Sequence, residues 1–211
     1  MSADGTMPDI QIMNAIDAIL TRSAALAGNL REPGPVGADL ETLLDAAACA
    51  PDHGWLRPWR FLLVRGEARR ALGEVVAASY QKRYPEMDEP SLQRVRRYTT
   101  RIPLFIGVIA AVKESRIPVG EQILSAGAAA QNIIIAAHAL GYGAMWISSM
   151  IEEDMEAQRA IGLKEAETCI GWITLGSLKS RPRPKKRPHG IDFTSLWLAP
   201  DESRPISKEE L

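Results

Sequence analysis

The sequence has little cysteine and little histidine, and both shortages limit what it can do. Its only cysteines, Cys49 and Cys169, lie far apart and form no metal-ligand pattern. The three histidines, His53, His138 and His189, are too widely spaced to suggest a metal motif. The sequence therefore predicts no metal site, and a content of only two cysteines favours a reduced, cytoplasmic setting.

The chain also has no excess of one charge sign and no long uninterrupted apolar run. There are 25 basic and 26 acidic residues, so the net charge of −1 favours neither nucleic acid nor an acidic membrane. The start of the chain has no basic segment followed by an apolar one, so no signal peptide is expected. The longest apolar stretch, Ile123 to Leu140, contains Gln131 and Asn132, which are costly in hydrocarbon. A buried helix of a soluble protein is the expectation there.

Three common motifs are absent as well. No G-x-G-x-x-G follows a predicted strand, so a Rossmann nicotinamide site is not indicated. Neither a phosphate-binding G-x-x-x-x-G-K-(S/T) nor a nucleophile elbow G-x-S-x-G occurs. These absences remove the simplest nucleotide-binding and hydrolase hypotheses.

What the chain does have is enough apolar material for one ordinary domain. It has 211 residues, 46% hydrophobic and 24% charged, and no repeat or linker divides it. We predict a single domain over residues 1–211, with loose tails at 1–9 and 200–211. Helices are predicted over about 12–25, 39–49, 67–82, 90–100, 120–140 and 152–161, and strands over 59–64, 104–112, 144–147 and 169–176. This order indicates a mixed α/β or α+β domain with a sheet of four or five strands.

The segment from Ala50 to Phe61, A-P-D-H-G-W-L-R-P-W-R-F, is the most informative part of the chain. Pro51 ends the preceding helix because it lacks a backbone N–H and clashes with the turn before it. The loop that follows carries His53, Arg57 and two tryptophans. Binding groups concentrate on loops of this kind, although a lone histidine is more often structural and Trp59 is expected in the core.

Two further motifs stand at the ends of predicted elements. Thr21-Arg22-Ser23 ends the first helix pattern, where a guanidinium and a hydroxyl can hold a phosphate. Trp146-Ile147-Ser148 follows a Gly-Tyr-Gly turn. Taken alone, the first motif is more typical of a solvated helix end, and the second of an ordinary helix–turn–strand connection.

Taken together and in this order, these motifs resemble the nitroreductase family of FMN-dependent oxidoreductases. The His after Ala-Pro-Asp is similar to its short NAD(P)H nitroreductase branch, and the resemblance covers roughly residues 12–198. It implies an α+β fold with a central mixed sheet sandwiched by helices. It also implies a homodimer with the flavin at the subunit interface.

The resemblance also implies which residues hold the cofactor. They are Thr21, Arg22, Ser23, Cys49, His53, Trp146, Ile147, Ser148, Lys185 and Arg187. Five positions depart from the family pattern: Thr21, Ala25, Cys49 and Ile147 stand where relatives have a basic residue, and Arg57 replaces a glutamine. We therefore expect backbone rather than side-chain contacts at Ile147.

Lys185 and Arg187 belong to the basic, proline-rich run 181–188, which the resemblance brings to the FMN phosphate. A solvated basic tail is an equally good interpretation of this run. Non-specific nucleic-acid binding, which would be salt-sensitive, is a third. The rest of the chain offers no basic face, and nucleic acid is not expected as a partner.

The function that the resemblance implies is FMN-dependent NAD(P)H oxidation. NAD(P)H would reduce the flavin and leave, and an electron-poor acceptor such as a nitroaromatic or quinone would then be reduced in a ping-pong cycle. The flavin carries the chemistry, so no catalytic protein side chain is predicted. The alternatives are a flavin-using enzyme with another substrate and a non-enzymatic FMN-binding protein or redox sensor.

Overall fold

The computed structural model describes residues 13–148, 150–151, 153–183 and 185–210. The helices are α1 (Ala15–Thr21), α2 (Gly37–Ala48), α3 (Ala68–Arg83), α4 (Glu89–Arg101), α5 (Val119–Ala139) and α6 (Met155–Ala160). The strands are β1 (Leu30–Arg31), β2 (Trp59–Arg65), β3 (Leu104–Ala111), β4 (Tyr142–Ile147), β5 (Glu167–Leu178), β6 (Ser195–Ala199) and β7 (Glu202–Pro205). The tail expected at residues 1–9 lies outside the described residues.

Local sequence signals explain where several helices begin. The side chain of Asn14 accepts a hydrogen bond from the Asp17 backbone N–H and starts α1. Asp88 caps α4 in the same way, with a proline in the first turn of that helix. Asp154 accepts from two backbone N–H groups at the start of α6. Each side chain satisfies N–H groups that the helix itself leaves unpaired.

The main sheet has five strands in the order β1–β5–β3–β2, and β4 also pairs with β5. The α+β class is confirmed. The expected mixed sheet is corrected, because the pairings that the described strands make are antiparallel. Since α3 and α4 run out and back as a helical hairpin, β3 starts at the end of the sheet where β2 stops. An antiparallel pair follows from that return.

Helices cover both faces of the sheet, as expected. Alternate residues of β3 point to opposite faces: Ile106 packs with α2 and α5, whereas Phe105 packs with α3. Phe105 meets Trp172 of β5 edge to face, with the ring centroids 6.1 Å apart. Trp59 packs against the α2–α5 side, as its expected core role requires.

The C-terminal segment is more structured than the sequence predicted. Residues 200–211 were expected to be a loose tail, but β7 pairs with β6 in a hairpin that turns at Asp201, whose φ is 62°. The prediction missed this hairpin because its two strands are mostly exposed and have no apolar face that is buried in the core. Phe193 and Trp197 beside it are 78% and 69% exposed in the single chain.

An ion pair ties β2 to the start of β5 and makes stability depend on pH. Arg60 donates twice to Glu167, at 2.9 Å and 2.6 Å, and the Glu167 side chain is only 7% exposed. The hydrogen bonds from Arg60 lower the pKa of Glu167 to about 2. The pKa of an ordinary glutamate is about 4.3. The ion pair therefore stabilises the folded state fully above that pH, and this stabilisation is lost as the pH falls towards 2.

We therefore expect Arg60→Gln to lower the free energy of unfolding at pH 7 by about 2 kcal/mol, a discounted value because Arg60 is partly exposed. The deficit relative to the wild type should shrink between pH 5 and pH 2. Urea denaturation across that range measures it. Arg70→Gln is the control, since Arg70 pairs with Glu67 on the exposed surface. A deficit of constant size at all pH values would contradict this assignment.

Candidate functional site

The end of α1 is joined to the end of α5 by a pair of side chains. Thr21 Oγ1 lies 2.6 Å from the Asp17 carbonyl oxygen and 2.9 Å from His138 Nε2. The single hydroxyl proton of Thr21 is donated to the carbonyl, so His138 Nε2 is inferred to donate to the Thr21 oxygen. This contact fixes the start of the segment that follows α1.

Two cations meet immediately after Thr21. Arg187 donates a hydrogen bond to the backbone carbonyl of Arg22, which places Arg187 at the end of α1. Burial, and then the charge of Arg187, lowers the pKa of Arg22. Burial and the charge of Arg22 likewise lower the pKa of His138. These shifts mark a positive site in which a bound anion would be stabilised.

Ser23, the next residue, has an unpaired polar atom. Its Oγ is buried and makes no hydrogen bond within the part of the chain that the structure describes. Buried hydroxyls are nearly always hydrogen-bonded, so an orphaned one directly after the Arg22 carbonyl that Arg187 contacts indicates an external partner. Lys185 is exposed two residues before Arg187. The structure thus places Arg187 at the Thr21–Ser23 segment.

The third sequence motif lies along the same edge of the molecule. The Ala25 N–H donates to the Ala144 carbonyl of β4 at 3.0 Å, so the chain after α1 runs beside β4. From there β4 leads to Trp146, Ile147 and then Ser148, about 10 Å away at the rise of a strand. The positive group and the Trp146–Ser148 segment are therefore connected, within one chain, through the contact between Ala25 and Ala144.

A glycine on β5 makes room for Trp146. Gly171 has a φ of 142°, and a Cβ built on it would lie 2.2 Å from Trp146 Nε1 and 2.6 Å from the Ile147 carbonyl oxygen. The pairing of β3 with β5 shifts register beside it, between Val108 and Ile109. Such a β-bulge re-aims neighbouring side chains and is common beside functional sites.

The His53 loop is held in a strained conformation. Trp55 and Arg57 have φ values of 58° and 48°, which non-glycine residues rarely adopt. Asp52 holds the loop by accepting a hydrogen bond from the Arg57 backbone N–H at 2.6 Å. His53 Nδ1 lies 2.8 Å from Glu121 Oε2, at the first turn of α5. Strain of this kind is characteristic of functional loops.

The structure does not bring His53 or Cys49 to the Arg22 group of the same chain. His53 contacts Glu121 at the start of α5, whereas Thr21 contacts His138 near its end. At about 1.5 Å per residue, these two helix positions are about 25 Å apart. Asn132 of α5 donates to a carbonyl near the end of α2, which places the exposed thiol of Cys49 beside the middle of α5.

Sequence reasoning missed three residues of this region: Glu121, His138 and Gly171. His138 gave a weak signal, as a polar residue in an apolar helix, but Glu121 and Gly171 gave none. Within the described ranges, no group of histidine, cysteine or acidic residues is arranged to hold a metal ion. The same residues include no helix that is long and apolar enough to cross a membrane.

Comparisons with known proteins agree with this geometry. The Nitroreductase family model matches residues 31–177. "Putative NAD(P)H nitroreductase YdjA" of Escherichia coli strain K12 is 32% identical over 172 residues, which are 78% of this chain and 88% of the relative. A nitroreductase-like family protein from Bacillus cereus superposes with a TM-score of 0.77 at 21% identity, over 89% of this chain and 97% of that one.

A second solved structure, a nitroreductase from Bacteroides fragilis with bound FMN, has a TM-score of 0.65 at 19% identity. It covers 84% of this chain and 96% of its own. These two structural superpositions show that the fold is shared, and the match to the family model spans more than half of the chain. The chain belongs to the nitroreductase family.

Proposed function

We propose that the protein is an FMN-dependent NAD(P)H oxidoreductase that reduces electron-poor aromatic acceptors in the cytoplasm. The observation that carries the proposal is the buried, unpaired Ser23 Oγ next to Arg22 and Arg187. A phosphate monoester supplies the charge and the acceptor oxygens that this group lacks. The FMN bound by the Bacteroides fragilis relative is a molecule of that class.

FMN fits the residues present. Arg22, Ser23 and Arg187 hold the phosphate, with Lys185 close enough in sequence to add a further charge. The backbone of Trp146 to Ser148 would contact the flavin ring, and such a contact would tolerate Ile147 because it needs no side chain. When bound, FMN supplies the redox chemistry, taking two electrons from NAD(P)H and passing them to the acceptor. The protein binds, orients and shields it.

His53 and Cys49 join this site only if two chains build it. The separation of about 25 Å along α5 exceeds the length of one FMN molecule. A second copy related by a two-fold axis brings its own His53 loop to the Arg22 group. Exposed apolar side chains on α1 and α5 are available for such an interface: Ile16, Leu20 and Leu124 are 64%, 65% and 73% exposed.

We expect mixed dimers to restore a site that two variants have lost. In Arg22→Ala and His53→Ala dimers, both sites carry a defect. In a mixed dimer, one site receives both defects and the other receives none. Differently tagged, co-expressed variants should therefore bind one FMN tightly per two chains, measured by fluorescence titration. A mixed species without a tight site would mean that each chain binds FMN alone.

The proposed function is tested by adding FMN to the purified protein. We expect a flavin absorption spectrum that follows the protein on gel filtration, and steady NADH or NADPH oxidation once a nitroaromatic or quinone is added. A protein that binds no FMN would overturn the proposal. Bound FMN without acceptor-dependent turnover would favour a redox sensor instead.

A further inference from the structure

A cavity of about 580 Å³ opens beside the Trp146–Ser148 segment, on the α3–α4 side of the sheet. Ile147 and Ser148 form part of its wall, and Met150 follows them. The volume is in the range of ordinary small-molecule sites. The proposed function does not by itself assign this cavity, which lies against the segment where the flavin ring is placed.

The walls of the cavity suit a flat aromatic ring. Met87 at the approach to α4 and Met150 after β4 place thioethers on its sides. Sulfur makes favourable contacts with aromatic rings, and methionine adapts to rings of different shape. Tyr80 of α3 and Tyr98 of α4 add two phenol rings. Burial, and then the neighbouring Tyr80, raises the pKa of Tyr98, so the Tyr98 hydroxyl stays a protonated donor at neutral pH.

Arg94 gives the cavity a charge. Its Nη2 donates to Ser91 Oγ at 2.6 Å, which holds the guanidinium at the cavity wall. Arg94 makes no other hydrogen bond that the described residues record, so further N–H donors are open to a ligand. The nearby carboxylate of Asp88 caps α4 by accepting from the Ser91 backbone N–H at 2.9 Å. The hydrogen bonds from Ser91, and to a smaller extent the charge of Arg94, lower the pKa of Asp88, so the guanidinium already faces one carboxylate.

We propose that this cavity is the acceptor pocket, and that it selects planar aromatic acceptors carrying a carboxylate or a similar anionic group. The inference rests on the proposed function. The aromatic ring packs between the methionines and tyrosines, and the anionic group pairs with Arg94. For a nitrobenzoate, one turnover converts the nitro group to a nitroso group. It consumes NAD(P)H and one proton and releases NAD(P)⁺ and water.

The test compares 4-nitrobenzoate with 4-nitrobenzamide, which has the same ring and nitro group but no charge. Three variants are made in the FMN-loaded protein: Arg94→Gln, Arg94→Lys and, as the matched control, Arg97→Gln. Arg97 is an exposed arginine of the same helix that does not line the cavity. Calorimetry measures binding of each compound to the oxidised protein, and NAD(P)H oxidation gives kcat and KM.

We expect Arg94→Gln to raise the Kd and the KM for nitrobenzoate about tenfold, the usual scale for losing a charge-assisted contact. The kcat should change little, nitrobenzamide should be unaffected, and Arg94→Lys should keep most of the affinity. Equal changes for both compounds, or the same change in Arg97→Gln, would overturn the pocket assignment. Failure of the proposed function is recognised separately, because the wild type would then bind no FMN.

Discussion

Gly171→Ala is expected to be among the most damaging single substitutions in the chain. The methyl group would lie 2.2 Å from Trp146 Nε1 and 2.6 Å from a backbone oxygen, and the φ of 142° would strain any other residue. We expect the free energy of unfolding to fall by about 3–5 kcal/mol, combining backbone strain with overpacking. Urea denaturation measures this loss, and tryptophan fluorescence reports the displacement of Trp146.

Gly120→Ala is the matched control. Gly120 lies in the first turn of α5, where an added Cβ would meet nothing within 4 Å. Alanine should leave stability unchanged or raise it by up to about 1 kcal/mol, because it restricts the unfolded chain. If the two variants were equally stable, the close approach of β4 to β5 at Gly171 would not contribute to the stability of the fold.

Arg22→Ala is expected to give the largest loss of FMN affinity. A hydrogen bond to a charged group contributes about 1.5–3 kcal/mol, which corresponds to about tenfold to 150-fold in Kd. Riboflavin lacks the phosphate and should lose much less. Fluorescence titration measures the loss of affinity for FMN and for riboflavin. The difference between the two losses should become smaller at high salt, because exposed charge pairs are screened.

Arg181→Ala serves as the control for this second prediction. Arg181 is an exposed residue of the same basic run and has the same charge as Arg187. Arg181→Ala should leave the affinities for both FMN and riboflavin nearly unchanged. Equal losses of FMN and riboflavin in Arg22→Ala would instead mean that Arg22 acts structurally, through the segment that joins α1 to β4.

The parts of the fold that were predictable are those with strong local patterns. The apolar run expected at 104–112 is β3, and the small-residue helix expected at 120–140 is α5. The first helix, expected to reach about residue 25, ends at Thr21. It ends early because the Ala25 N–H pairs with Ala144, a contact across the molecule that no local pattern contains.

In the candidate site, too, local patterns were predictable and contacts across the molecule were not. The three motifs that carry it were visible in the sequence because they are contiguous, and the structure connects two of them through the contact between Ala25 and Ala144. Their supporting partners were not visible. Glu121 lies 68 residues from His53, and His138 lies 117 residues from Thr21. Periodicity and composition describe neighbours along the chain, whereas these pairs exist only after the helices have packed.

The central position of β5 also constrains the order in which the protein can form during synthesis. The ribosome releases β1, β2, β3 and β4 first, yet β1, β3 and β4 all hydrogen-bond to β5, which ends at Leu178. Until that strand emerges, β3 has one unpaired, fully apolar edge, which invites association with other nascent chains. Most of the sheet can therefore close only after β5 has been synthesised, and its contacts are long-range and slow to form.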